Sequence, residues 1–116
     1  MKVSENFSRE EFACPDGCGF STVDVELLKL LEAIRKRFGK PVRITSGCRC
    51  QLYNTATPGA AYRSKHLQGI AADIVVKDTS PSEVYKFVDG HAPNKYGLKA
   101  YTTWTHVDVR QDKWRG

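Results

Sequence analysis

Long apolar runs are missing from this sequence. No stretch approaches the roughly 20 residues that cross a bilayer, so no membrane span is expected. The opening Met1-Lys2-Val3-Ser4-Glu5-Asn6-Phe7 has none of the apolar character of a secretory signal. Synthesis in the cytoplasm without a signal peptide is therefore expected, and action beyond the membrane would require release by another agent. Internal repeats and low-complexity linkers are absent too. The 116 residues read as a single domain, 1–116, and as a monomer. Acidic residues fall short of basic ones, 13 against 18, leaving a formal charge of +5. That balance points to an anionic partner such as nucleic acid, phospholipid or a cell-wall polymer. No signature of the common nucleic-acid-binding modules is present, so a nucleic-acid partner is not expected.

Cysteine is sparse but paired, as Cys14-x-x-x-Cys18 and Cys48-x-Cys50. Three states stay open for these thiols. They can be free and buried, they can be disulfides (which the missing signal peptide argues against), or they can form a four-thiolate structural zinc site joining the N-terminal segment to the 48–50 turn.

What the chain does contain is periodic. Val23, Leu27, Leu30, Leu31, Ile34 and Phe38 recur at helical spacing and predict a helix over 23–38, capped by Thr22 and ended by Gly39 and Pro41. Its apolar stripe belongs to a core. Ahead of it, Phe7, Phe12 and Phe20 pin an irregular arm over 1–20. Val42-Arg43-Ile44-Thr45 alternates as a short strand, a short helix is expected over 51–56, and the β-branched run 70–76 predicts a further strand. Ser80, Pro81 and Glu83 have the spacing of a capping box with proline at the first helical position, starting a helix that runs to about Asp89. Strands over 96–101 and 104–110, joined by Thr102-Thr103, predict an antiparallel hairpin. The fold class is α+β, with two main helices packed on a small, mainly antiparallel sheet.

Two places in this frame are chemically awkward. Asp73 is the one charge in the 70–76 strand, where an unpaired carboxylate would be costly and a cation is needed. In the last strand Val107 and Val109 face the core, while Trp104, His106, Asp108 and Arg110 face the other way, as on the floor of a polar cleft. His66 sits in the loop feeding the strand of Asp73. Histidine is scarce, with three in the chain, and two of them fall beside these carboxylates. Two imidazoles and one carboxylate with no fourth protein donor suit catalytic zinc. On spacing alone, surface histidines and an Asp73–arginine pair account for the same residues. His91, in Gly90-His91-Ala92-Pro93, reads as an exposed loop residue.

Ser64-x-His66-x-x-Gly69-x-Ala71-x-Asp73 followed by His106-x-Asp108 resembles the zinc D-alanyl-D-alanine carboxypeptidases and related peptidoglycan peptidases. The Ile44-Thr45-Ser46-Gly47-x-Arg49 element agrees with this, and Ser4-Glu5-Asn6-Phe7-Ser8-x-x-Glu11-Phe12 resembles short phage and prophage members. The Hedgehog signalling domain resembles the same fold. The resemblance implies His66, Asp73 and His106 as zinc ligands, with the fourth position left to water. It implies Arg49 as the fork that engages a substrate carboxylate and Ser64 as a residue that bonds substrate or orients His66. Many relatives carry an acid three positions before the last histidine, or a histidine two before it. This chain has Thr103 and Trp104 there. Asp108 is then expected as general base, with orientation of a ligand or of Arg110 as its other reading. Trp104 is expected to floor the substrate groove. The implied activity is hydrolysis of an amide bond in peptidoglycan stem peptides, by a D,D-carboxypeptidase or endopeptidase of the phage endolysin type. A non-catalytic zinc-containing module that binds cell wall or protein is the competing reading.

Overall fold

One sheet organises the molecule. A computed structural model describes residues 2–13, 24–47 and 69–116. Within them the strands are β1 (Val42–Ser46), β2 (Ala71–Val76), β3 (Tyr96–Ala100), β4 (Thr105–Asp108) and β5 (Lys113–Arg115). They form a five-stranded sheet in the order β1-β2-β4-β3-β5. All neighbours are antiparallel except β3 and β5, which run parallel. Helix α1 (Val25–Phe38) packs against β1 and β2, and helix α2 (Pro81–His91) against β2, β3 and β4. The α+β architecture expected from the sequence is the one observed.

Alternation along the strands separates the two faces. Ala72, Ile74, Val76, Leu98 and Val107 are buried with Leu27, Leu31 and Ile34 of α1 and Val84 and Val88 of α2. Phe7 and Phe12 join this core from the N-terminal arm, with ring centres 6.2 Å apart. A short 3-10 turn over Arg9–Phe12 sets their spacing, closed by the Ser8–Glu11 capping box. Asn6 ties the arm to α1 by donating from its backbone and side chain to the Glu32 carboxylate, at 2.8 and 2.6 Å.

The helix ends follow local chemistry. α1 begins two residues later than expected because Asp24 is the cap: its Oδ1 accepts from the N–H groups of Glu26 and Leu27. Thr22, the expected cap, lies outside the described residues, as do Val23, Phe20 and the helix expected over 51–56. Gly39 closes α1 in the left-handed conformation at φ 62°, where a side chain would be strained. Ser80, Pro81 and Glu83 start α2 as the sequence indicates, and the helix continues to His91. β3 begins at Tyr96 as expected but ends one residue early, and β4 is shorter than expected at both ends.

β5 is an element that the sequence pattern did not predict. Its anchor is Arg115, which donates to the carbonyls of Ala92, Lys95 and Tyr96 at the end of α2 and the start of β3, and to Asp89 Oδ1 at 2.8 Å. The Ala92 carbonyl, at the C-cap of α2, would otherwise lack a helical partner. A three-residue strand with two cations offers no apolar alternation to read.

Tyr96 opens β3 at φ 74°, an unusual conformation for a bulky residue. Its surroundings fix it there. The backbone N–H donates to the Arg110 carbonyl, and the phenol donates to the Glu26 carboxylate, which also takes Lys95 and Gln111. Burial, and then the hydrogen bond to Glu26, push the Tyr96 phenol up from 10.0 to about 12. The folded protein therefore keeps this proton where the unfolded chain releases it. The contribution is complete below pH 10.0 and is lost as pH rises toward about 12. Tyr96→Phe should cost about 1 kcal/mol near neutral pH. Urea denaturation at a series of alkaline pH values should show a shallower loss of stability in the variant than in the wild type.

Candidate metal centre

The polar face of the sheet places side chains in two rows. β2 pairs with β4 so that Asp73 lies opposite His106, and β4 pairs with β3 so that Lys99 lies on the other side of His106. The neighbouring row runs Ala71, Asp108, Gly97 and, through β5, Trp114. A register irregularity between Ile44 and Ser46 in β1 brings Ser46 opposite Asp73. The Thr45 hydroxyl donates to the Asp73 carbonyl at 3.2 Å.

Asp108 is fully buried, and its carboxylate is surrounded by donors. Oδ1 accepts from the backbone N–H groups of Gly97 and Arg110, at 3.1 and 3.2 Å, and from Arg110 Nε at 2.7 Å. Oδ2 accepts from Arg110 Nη2 at 2.8 Å and lies 2.9 Å from His106 Nε2. Burial alone would raise this carboxyl, but the bonds from His106 and Arg110 outweigh it and hold Asp108 well below the usual carboxylate range. An ionised carboxylate is only an acceptor, so the nitrogen facing it, Nε2, carries a proton. Arg110 is raised in turn, by its hydrogen bonds to Asp108.

That assignment decides what the other ring nitrogen does. His106 Nδ1 lies 3.0 Å from Asp73 Oδ1. With the proton fixed on Nε2, a neutral ring turns the Nδ1 lone pair toward a carboxylate oxygen. Two electron-rich atoms at that distance need a shared cation. A second proton serves when no metal is present. Burial opposes the charged ring, yet the bonds to Asp108 and Asp73 outweigh it and push His106 up. A metal ion serves equally. One imidazole nitrogen and one carboxylate oxygen side by side, with the imidazole's second nitrogen held by a carboxylate, is a donor set that fits zinc.

Gly97 makes the arrangement possible. A Cβ at this position would run into the Asp108 carboxyl atoms Oδ2, Cγ and Oδ1. An isolated glycine inside a strand pattern was the sequence signal for this close approach. Trp114, also not anticipated, stands edge-on to His106 with ring centres 6.1 Å apart at 88°, and carries the Arg110 guanidinium 4.9 Å from its centre.

The structure thus brings Asp73, His106, Asp108 and Arg110 together. Trp104, expected on the groove floor, stacks on Tyr101 at the end of the hairpin, with ring centres 4.4 Å apart at 11°. His91 ends α2 and stacks on Phe87. His66, Ser64, Arg49 and the four cysteines Cys14, Cys18, Cys48 and Cys50 lie outside the described residues. Among the described residues no group of three or more metal-ligating side chains is assembled, and no helix is long and apolar enough to cross a membrane.

No curated protein and no solved structure matches the chain. The family described as Peptidase M15 matches residues 5–108, from the N-terminal arm to Asp108 itself. With the Asp73–His106 pair inside that match, the chain belongs to the peptidase M15 family.

Proposed function

We propose that the protein is a zinc-dependent peptidase that hydrolyses an amide bond in peptidoglycan stem peptides, as a D,D-carboxypeptidase or an endopeptidase. The observation that carries this reading is the line from Asp73 through His106 to Asp108, in which a carboxylate oxygen lies 3.0 Å from one imidazole nitrogen and a second carboxylate lies 2.9 Å from the other. His66 would complete the ligand set from the loop before β2. Zinc bound there would polarise the scissile carbonyl and acidify a water. The net charge of +5 supports an anionic wall as partner. Lysis by a phage or prophage enzyme, acting on the wall after release, is the setting that the opening motif supports.

The protein's own residues supply position and charge. Arg49 would clamp a substrate carboxylate, and Ser64 would bond substrate or orient His66. The contacts of Asp108 support an orienting role in place of the general base expected from the sequence. It is ionised and fully surrounded by donors, and a carboxylate held so far below the usual range accepts a proton poorly. Asp108 holds His106 Nε2–H, and Arg110 holds Asp108. The same saturation of Asp108, with Thr103 where many relatives carry an acid, supports the second reading of a non-catalytic zinc-containing module that binds wall or protein.

Purified protein incubated with muropeptides should yield products visible by mass spectrometry, lose this activity to a chelator and regain it with zinc. Zinc retained at full occupancy with no turnover on any muropeptide selects the binding module instead. His106→Ala and Asp73→Ala should each abolish stoichiometric zinc, measured by elemental analysis.

Asp108→Asn keeps the shape but weakens the hold on His106. It should lower zinc affinity about 10- to 100-fold in competition with a chromophoric chelator. Gly97→Ala should produce the same direction of change by displacing Asp108. Its cost in stability should be about 1–3 kcal/mol, read from denaturant midpoints. Unchanged zinc affinity in both variants would contradict the orienting role.

A further inference from the structure

The face that carries Asp73 and His106 continues toward β3 and β5, where Lys99 and Trp114 stand. Lys99 is the direct cross-strand neighbour of His106, on the side away from Asp73, and such neighbours have Cβ atoms roughly 5 Å apart. Trp114 lies in β5, past residue 108 where the family match ends. Lys99 and Trp114 border one patch: a Cβ at Gly116 would come within 2.8 Å of both Lys99 Cδ and Trp114 Cη2.

The two side chains differ in chemistry and complement each other. Trp114 is 38% exposed although its edge contacts His106 and its face carries Arg110. Its position is rigid, because Arg115 fastens β5 to the end of α2. The Lys99 ammonium lies 4.7 Å from the centre of the Tyr101 ring. Among the described residues no carboxylate lies within ion-pair distance of it. The Arg110 cation over the Trp114 ring is already committed to Asp108. An exposed indole alone would need no explanation. An indole and a lysine stem meeting beside a candidate metal ligand, with the lysine's ammonium over the neighbouring Tyr101 ring, combine an apolar wall with one charged anchor.

We propose that Lys99 and Trp114 form a substrate subsite beside His106 that takes a peptide residue bearing a free carboxylate. The Lys99 ammonium pairs with the carboxylate, and the Trp114 indole covers the apolar part of the same residue. This rests on the peptidase reading and adds to it where recognition occurs on the β3–β5 side. Arg49 would act from a different segment, so the two cations are separable by mutation.

The test uses the zinc-loaded full chain and two stem peptides that differ only in a C-terminal free acid or amide. Wild type should prefer the acid. Lys99→Met should reduce that preference at least about tenfold, through KM, with kcat and zinc content unchanged. Trp114→Ala should raise KM for acid and amide alike, and Trp114→Phe should restore most of the loss. An acid-over-amide preference unchanged in Lys99→Met, or a wild-type KM in Trp114→Ala, overturns the subsite. Loss of zinc from both Lys99→Met and Lys99→Gln makes Lys99 a structural residue and overturns it as well. If wild type turns over neither peptide, the peptidase reading fails separately. The dissociation constants of the same peptide pair then decide the subsite by the same criterion.

Discussion

A buried, ionised carboxylate controls this structure. Removing the Asp108 charge from water costs several kcal/mol, and only good geometry and a full set of donors offset that cost. The donors come from three places at once: the backbone of β3 at Gly97, the backbone and guanidinium of Arg110, and the ring of His106. Each imposes a condition on the sequence. Gly97 has no side chain because the carboxyl occupies that space. Arg110 follows Asp108 at two residues, so that its fork returns to the same carboxylate. His106 precedes it at two residues, on the same face of β4.

From that carboxylate the arrangement extends in two directions along the sheet. Toward β2, the fixed ring presents Nδ1 to Asp73, and the pair becomes a place for a cation. Toward β5, Arg110 lies over Trp114, whose ring stands perpendicular to that of His106. Arg115 connects this outer strand to the end of α2, so a helix terminus, the edge strand and the aromatic beside His106 are mechanically one unit. Tyr96, held in a strained conformation by Glu26 and Arg110, joins α1 to the same corner. The polar face is thus buttressed from both helices, while its charged side chains sit on strands.

The sequence made some of this visible and hid the rest for physical reasons. Helices announced themselves where local signals agree, as in the stripe from Leu27 to Ile34, the αL cap at Gly39 and the Ser80–Pro81–Glu83 start. Asp73 was legible because one charge in an apolar strand is anomalous, and His106 with Asp108 because alternation put them on one face. The resemblance put Asp73 and His106 in one ligand set, but their direct pairing was not legible in the spacing, since it depends on which residues of β2 and β4 face each other. Register is a tertiary property. α1 starts later than the spacing suggested because Asp24, itself a good cap, accepts from the N–H groups of Glu26 and Leu27. Gly97, Lys99 and Trp114 escaped notice because their meaning arises from the residues they face across the sheet, Asp108, His106 and Gly97. The saturation of Asp108 by Arg110 also depends on folded geometry, and it changes the role that spacing alone suggested.

The account's central claim is that Asp108 fixes the tautomer of His106 so that Nδ1, together with Asp73, receives the metal. Anomalous diffraction from crystals of the zinc-loaded protein tests it most directly. The predicted result is a zinc peak bonded to His106 Nδ1 and an Asp73 carboxylate oxygen, with His106 Nε2 still on Asp108. Zinc bonded through Nε2 with Asp108 displaced, or zinc bound only away from the Asp73–His106 pair, would contradict it.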